Sequence, residues 1–235
     1  MILEGDGCLE DRLGAGVMLV CVYARARWSD IRYVQRVEVD NRRNGSLTLY
    51  TSERKTSSSG ARREKYLPLV APAEGVTTDD WIGSFATVYE LCGLNLWKEP
   101  LGPLVPAPRG QGLFFARPLS TSEAAVWLKL LLQGTPNSQT LRAHSLKTTL
   151  LVWAAKAGLD KEVRAVLGHH CTATEGSEVV YSRFLQVRAL RKLLLKRVRI
   201  GLGLDYDPVY GEAFPVTPLQ QPRAAPTPTM VEGQV

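Results

Sequence analysis

Three short runs of strand-like residues, all within residues 33–72, suggest a small sheet in one patch of this chain. They read "YVQRVEV" (33–39), "SLTLYTS" (46–52) and "KYLPLVAP" (65–72), and are rich in the β-branched and aromatic side chains that suit a pleated surface. "DNRRNG" joins the first two, and its Asn-Gly pair favours the left-handed backbone of a hairpin turn. The loop "ERKTSSSGARRE" (53–64) leads to the third. A small three-stranded antiparallel sheet is the expectation.

Helical periodicity surrounds that patch. Residues 11–31 read as a helix ending near "RARWSDI". The apolar run inside it, "LGAGVMLVCVYA" (13–24), is too short to span a bilayer. Acidic residues precede it, so the positive start of a signal peptide is missing and a buried helix is expected. Its "GAG" lacks the third glycine and the preceding strand of a dinucleotide fingerprint. From about 78 the pattern is helical, interrupted by a proline-rich connector, "EPLGPLVPAPRG" (99–110). "STSE" (120–123) forms a capping box, in which the Ser120 hydroxyl and Glu123 carboxylate satisfy free amides. It opens a helix over about 122–133 with the apolar face Ala125, Leu128, Leu131 and Leu132. Two more helices, about 145–157 and 160–167, stop at Gly158 and Gly168, where a left-handed residue is expected. "SRFLQVRALRKLLLKRVRI" (182–200) is a basic amphipathic helix. The fold class is therefore α+β, mostly α, in one domain over 1–204, followed by a proline-rich tail over 205–235 expected to be disordered.

A hydrophobic share of 45% and a charged share of 22% are ordinary for a globular protein. Net charge is +6, with a pI near 9.2, which fits a polyanionic partner. Cys8, Cys21, Cys92 and Cys171 are far apart, which argues against a disulfide framework or zinc ribbon and for a reducing intracellular compartment. Neither a cofactor nor a membrane partner is expected. His169, His170 and Cys171 adjoin one another, but neighbouring side chains rarely point at one ion, so no metal is expected either.

Chemistry concentrates in "HSLKTTLLVWAAKAG" (144–158), "VLGHH" (166–170) and "VVYSRF" (179–184). His144 and Lys147 are one helical turn apart, at the helix end that favours anions. His169 marks the next helix-to-loop junction, and Tyr181 follows 12 residues later. Upstream lie "ARARWSDI" (24–31) and "RKT" (54–56) ahead of "YLPL". Taken singly, each is as easily a cap, a packed aromatic or a solvated cation.

Together, in this order, they resemble the catalytic domain of the tyrosine recombinase, or phage integrase-like, family over roughly residues 11–200. The wording "HSLK-T" and "YSR" is most similar to recombinases of eukaryotic mobile elements. The resemblance implies site-specific cleavage and rejoining of double-stranded DNA through a 3′-phosphotyrosyl intermediate, without metal. In a eukaryotic source it implies the nucleus. It casts Arg27 as the first catalytic arginine, Asp30 as the acidic support and Lys55 as the sheet-loop lysine, with Arg54 and Lys65 as rivals. His144 and Lys147 fall on a His-x-x-Arg pair, His169 on the Leu-Gly-His histidine, and Tyr181 on the nucleophile, with Tyr206 and Tyr210 as rival phenols. His170 has no counterpart. Arg54, Arg142, Arg188 and Lys192 are expected on DNA phosphates. The leucine face of 182–200 would dock on a neighbouring copy, giving self-association on DNA. A separate DNA-clasping domain is also implied, for which the 26 residues before Arg27 leave no room.

Those residue types suit phosphoryl transfer, which is mostly positioning and stabilisation of charge on the non-bridging oxygens. An arginine fork binds two such oxygens, whereas Lys147 offers a point charge where the family has a second arginine. A phenol has to be oriented, and the departing sugar oxygen needs a proton that lysine or histidine can supply. Arg25 competes with Arg27, because in one continuous helix the two would point about 200° apart. Three other readings fit parts of the chain: a non-catalytic DNA-binding remnant, a type IB topoisomerase-like relaxing enzyme, and a basic helical module for protein or membrane partners.

Overall fold

The computed structural model describes residues 2–40, 45–51, 69–73, 75, 80–99, 101–135, 138–169 and 185–194. The fold is α+β, about half helical. Its elements run α1 (Leu9–Tyr23), α2 (Trp28–Ile31), β1 (Val34–Asp40), β2 (Ser46–Thr51), β3 (Leu69–Pro72), α3 (Trp81–Leu91), β4 (Pro106–Gly110), β5 (Leu113–Pro118), α4 (Thr121–Leu131), α5 (Ala143–Lys156) and α6 (Lys161–Leu167). Residues 185–194 are also helical.

The expected three-stranded antiparallel sheet is present, in the order β1-β2-β3. Asp40 pairs with Ser46 across the first hairpin, and β2, the central strand, is the more buried of that pair. α1 is the axle of the molecule, packed against α3, α4, α5 and β3. Its glycines are there for contact. A Cβ on Gly14 would lie 2.6 Å from Trp127 Cζ2, and one on Gly16 would collide with the Phe85 ring. The "GAG" run thus lets two aromatic rings reach a helix backbone. Buried indoles find partners for their N–H groups: Trp28 donates to Leu119 O, Trp81 to Pro72 O and Trp127 to Asp11 Oδ1.

Four expectations need correction. The first helix does not run to residue 31: it ends at Tyr23, because Arg25 takes a left-handed φ of 49°, and α2 starts afresh after Arg27. Part of the proline-rich connector is strand, since Pro106–Gly110 pairs with Leu113–Pro118. Gln111 and Gly112, with φ of 56° and 74°, make the two-residue turn whose doubly left-handed backbone suits strand twist. Pro106 and Pro108 are tolerated because a two-stranded ribbon is all edge. α4 buries Ala124, Trp127 and Leu128, so its face is rotated from the expected one and Ala125 is only half-buried. Finally, Gly158 is left-handed as expected (φ 71°), but Gly168 is right-handed (φ −78°), and the left-handed residue is His169.

Candidate functional site

The bend between α1 and α2 carries Arg27, and its geometry is set by Arg25. That side chain is fully buried, and its guanidinium donates to four acceptors: Leu167 O (3.0 Å), Tyr23 O (2.5 Å), Val70 O (2.8 Å) and Gln186 Oε1 (2.5 Å). A planar fork with five N–H groups is the one side chain able to serve so many carbonyls from separate segments. It ties together α1, β3, the end of α6 and the 185–194 helix.

A second bond runs the other way. His169 Nε2 lies 3.1 Å from Ala24 O. A carbonyl only accepts, so Nε2 carries a proton and donates it to Ala24 O. Both clasp residues are non-glycine residues in the left-handed region, Arg25 at φ 49° and His169 at φ 56°. Each such conformation costs on the order of 1–3 kcal/mol and persists only where its surroundings enforce it. Here each side chain bonds to the loop that holds the other. Segments 142 and 145 residues apart are thereby locked edge to edge. Arg27 is three peptide steps from Ala24, so its Cα lies within about 11 Å of that contact.

Asp30 supports the same bend. It is 3% exposed, and its Oδ2 accepts the Arg27 backbone N–H at 3.0 Å, the acidic half of a capping box. Its other oxygen, Oδ1, is buried without a hydrogen-bond partner. Burial, and secondarily the Asp30 charge, drive the thiol of Cys21 well above its ordinary range.

α5 divides the two residues expected to share its face. Lys147 is 5% exposed and continues the buried stripe of Leu150 and Ala154, so it points inward rather than to solvent. His144 is exposed, and with Arg142, Lys129, Thr121 and Val126 it borders an open pocket of about 300 Å³ between α4 and the start of α5. Arg142 is exposed as well; its backbone N–H donates to Ser145 Oγ, so the N-terminus of α5 is partly capped. Arg142 therefore borders the pocket with His144 and does not turn inward beside Lys147.

In the 185–194 helix, Leu190, Leu193 and Leu194 are buried in the core of the same chain, while Arg188 and Lys192 are exposed. Of the leucine face expected to meet a neighbouring copy, these three are covered within the chain, while Leu185 is exposed. Arg54, Lys55, Lys65, His170, Tyr181, Tyr206, Tyr210 and the 205–235 tail lie outside the described residues. The structure thus brings together the Arg27 bend, Asp30 and His169, places Lys147 in the interior, and leaves His144 and Arg142 at the surface. Two contributors went unrecognised in the sequence: Arg25, set aside as the rival of Arg27, and Gln186. The signal for Gln186 was a lone polar residue on the leucine stripe of its helix.

Among the described residues, no helix is long and apolar enough to cross a membrane. Comparison of the chain with protein-family models, curated proteins and solved structures finds no match.

Proposed function

We propose that this chain is a DNA strand breaking-and-rejoining enzyme, a site-specific recombinase or integrase acting on duplex DNA. Tyr181 attacks the scissile phosphorus, a P–O bond forms to the phenol, and the bond to the 5′ oxygen breaks. The phenolic proton passes to solvent water, and a proton from Lys55 goes onto the departing 5′ oxygen. Arg27 and Lys147 stabilise the charge on the non-bridging oxygens, His169 holds the Arg27 bend through Ala24 O, and His144 contributes from the start of α5. The phosphotyrosyl ester keeps the energy of the broken bond, so reversal rejoins a strand without a nucleotide. Exposed Arg188 and Lys192, with Arg142 and Arg54, bind flanking phosphates.

The observation that carries this reading is the reciprocal clasp. Arg25 to Leu167 O and His169 to Ala24 O join the Arg27 bend to the Leu-Gly-His junction, as a site sharing one phosphate requires. The experiment is capture of a covalent protein–DNA adduct on a pool of nicked duplexes with a randomised core. Wild type yields an adduct, Tyr181→Phe yields none, and an undiminished adduct in the variant removes the nucleophile assignment.

Lys147 favours one second reading, a non-catalytic DNA-binding remnant, because a buried point charge replaces a fork at that position. Such a protein binds duplex DNA with strong salt dependence and gives no adduct on any member of the pool.

A further inference from the structure

We infer that Arg25 and Gln186 form a positioning device. Through it, the helix that follows Tyr181 sets the geometry of the bend carrying Arg27 and of the loop carrying His169. The functional half of this inference rests on the proposed activity; the mechanical half does not.

Gln186 is fully buried on a face otherwise made of Leu190, Leu193 and Leu194. Its Oε1 accepts from Arg25 Nη2, while its own amide nitrogen has no hydrogen-bond partner. Burying half of a carboxamide unsatisfied is unfavourable, and leucine would fill such a site without that cost. The acceptor oxygen is what glutamine supplies there. It joins three backbone carbonyls that also accept from the Arg25 guanidinium.

The consequence is mechanical. Arg25, in its left-handed conformation, reaches Leu167 O, two residues before His169 in the chain. His169, left-handed in turn, reaches back to Ala24. A helix that docks Gln186 on Arg25 therefore orients the guanidinium, and the guanidinium orients both loops. The segment immediately before that helix contains Tyr181. The bend carrying Arg27 and the loop carrying His169 are thus referenced to one buried group.

Packing alone and acceptor supply make opposite predictions. If Gln186 merely fills space, Gln186→Leu is tolerated and Gln186→Glu, which buries a charge, is the damaging change. If the acceptor matters, Gln186→Glu retains the bond to Arg25 and Gln186→Leu loses it. The experiment compares the two variants and Arg25→Lys in the full chain, by two readouts. The first is amide hydrogen exchange of residues 24–27 and 167–169 without DNA. Faster exchange in Gln186→Leu and Arg25→Lys than in Gln186→Glu is expected, and the reverse order overturns the inference. The second is the single-turnover rate of adduct formation on saturating nicked duplex pool, beside affinity for the same pool. Gln186→Leu should lose about 10- to 100-fold in rate with affinity unchanged, as small misplacements do, and Gln186→Glu should stay near wild type. Equal rates in all variants, with exchange unaltered, sink the device. If wild type forms no adduct, the enzyme reading fails, and the exchange order still decides whether Gln186 governs the two loops.

Discussion

Arg117 and Glu123 meet in a two-pronged pair beside the first turn of α4, at 3.0 and 2.7 Å, while Glu123 Oε2 also accepts the Ser120 backbone N–H at 2.8 Å. The Arg117 bond first, and the Ser120 bonds next, hold the Glu123 carboxyl far below its ordinary value near 4.5. A carboxyl depressed on folding adds stability that is present above its unfolded pKa and lost as pH falls toward the folded one. Glu123→Gln is therefore expected to lower stability near neutrality and to flatten the acid limb of a stability–pH profile between about pH 5 and 2, the two proteins converging at the acid end. A profile identical to wild type would show that the pair is solvated away. At Lys147 the expectation concerns rate. Lys147→Met keeps the buried aliphatic stem, so the variant should still fold, which its melting transition checks. Adduct formation should fall by about 10²–10³-fold, the usual effect of losing one oxyanion-stabilising donor, and Lys147→Arg should preserve or raise it. A Met variant with wild-type rate would make Lys147 a filler. The order of the motifs is read from the sequence without coordinates. The roles of Arg25 and Arg27 were not separable, since that depended on one left-handed φ that breaks the helix between them.

Elements were legible where a local chemical signature fixes them. The Ser120–Glu123 box and the Gly158 stop both stand, because a cap or a left-handed glycine is decided within a few residues. Elements fixed by distant contacts were not. The β4–β5 ribbon lies in a stretch whose prolines signal a connector, and Gly112 at its tip donates to the Glu10 carboxylate on α1, far off in sequence. The rotated face of α4 follows from Trp127 lying against Gly14. α1 supplies the test at this scale. Alanine has the better helix propensity by about 1 kcal/mol, yet Gly16→Ala should destabilise by about 1–3 kcal/mol, because its methyl meets the Phe85 ring in a filled core. Chemical denaturation measures the sign directly, and a stabilised variant would mean that the ring can move aside.

For the whole molecule, the net charge of +6 and the exposed cations of the 185–194 helix predict association governed by counterion release. Affinity for duplex DNA should fall log-linearly with salt, and replacing Arg188 and Lys192 by glutamine should lower the slope by about 1 each. A salt-independent affinity would point to a different partner. The α+β class and the location of the sheet were legible from periodicity alone. That the leucine stripe closes onto its own chain was not, since an amphipathic helix pattern names an apolar face without naming what covers it. The position of α1 carries a consequence for biogenesis. This apolar rod is translated well ahead of α4 and α5, which sheathe it. At roughly 5–20 residues per second the nascent rod stays uncovered for several seconds. Newly made chains should therefore lean heavily on holdase chaperones, and yield should respond to translation speed more than the finished fold's stability would suggest.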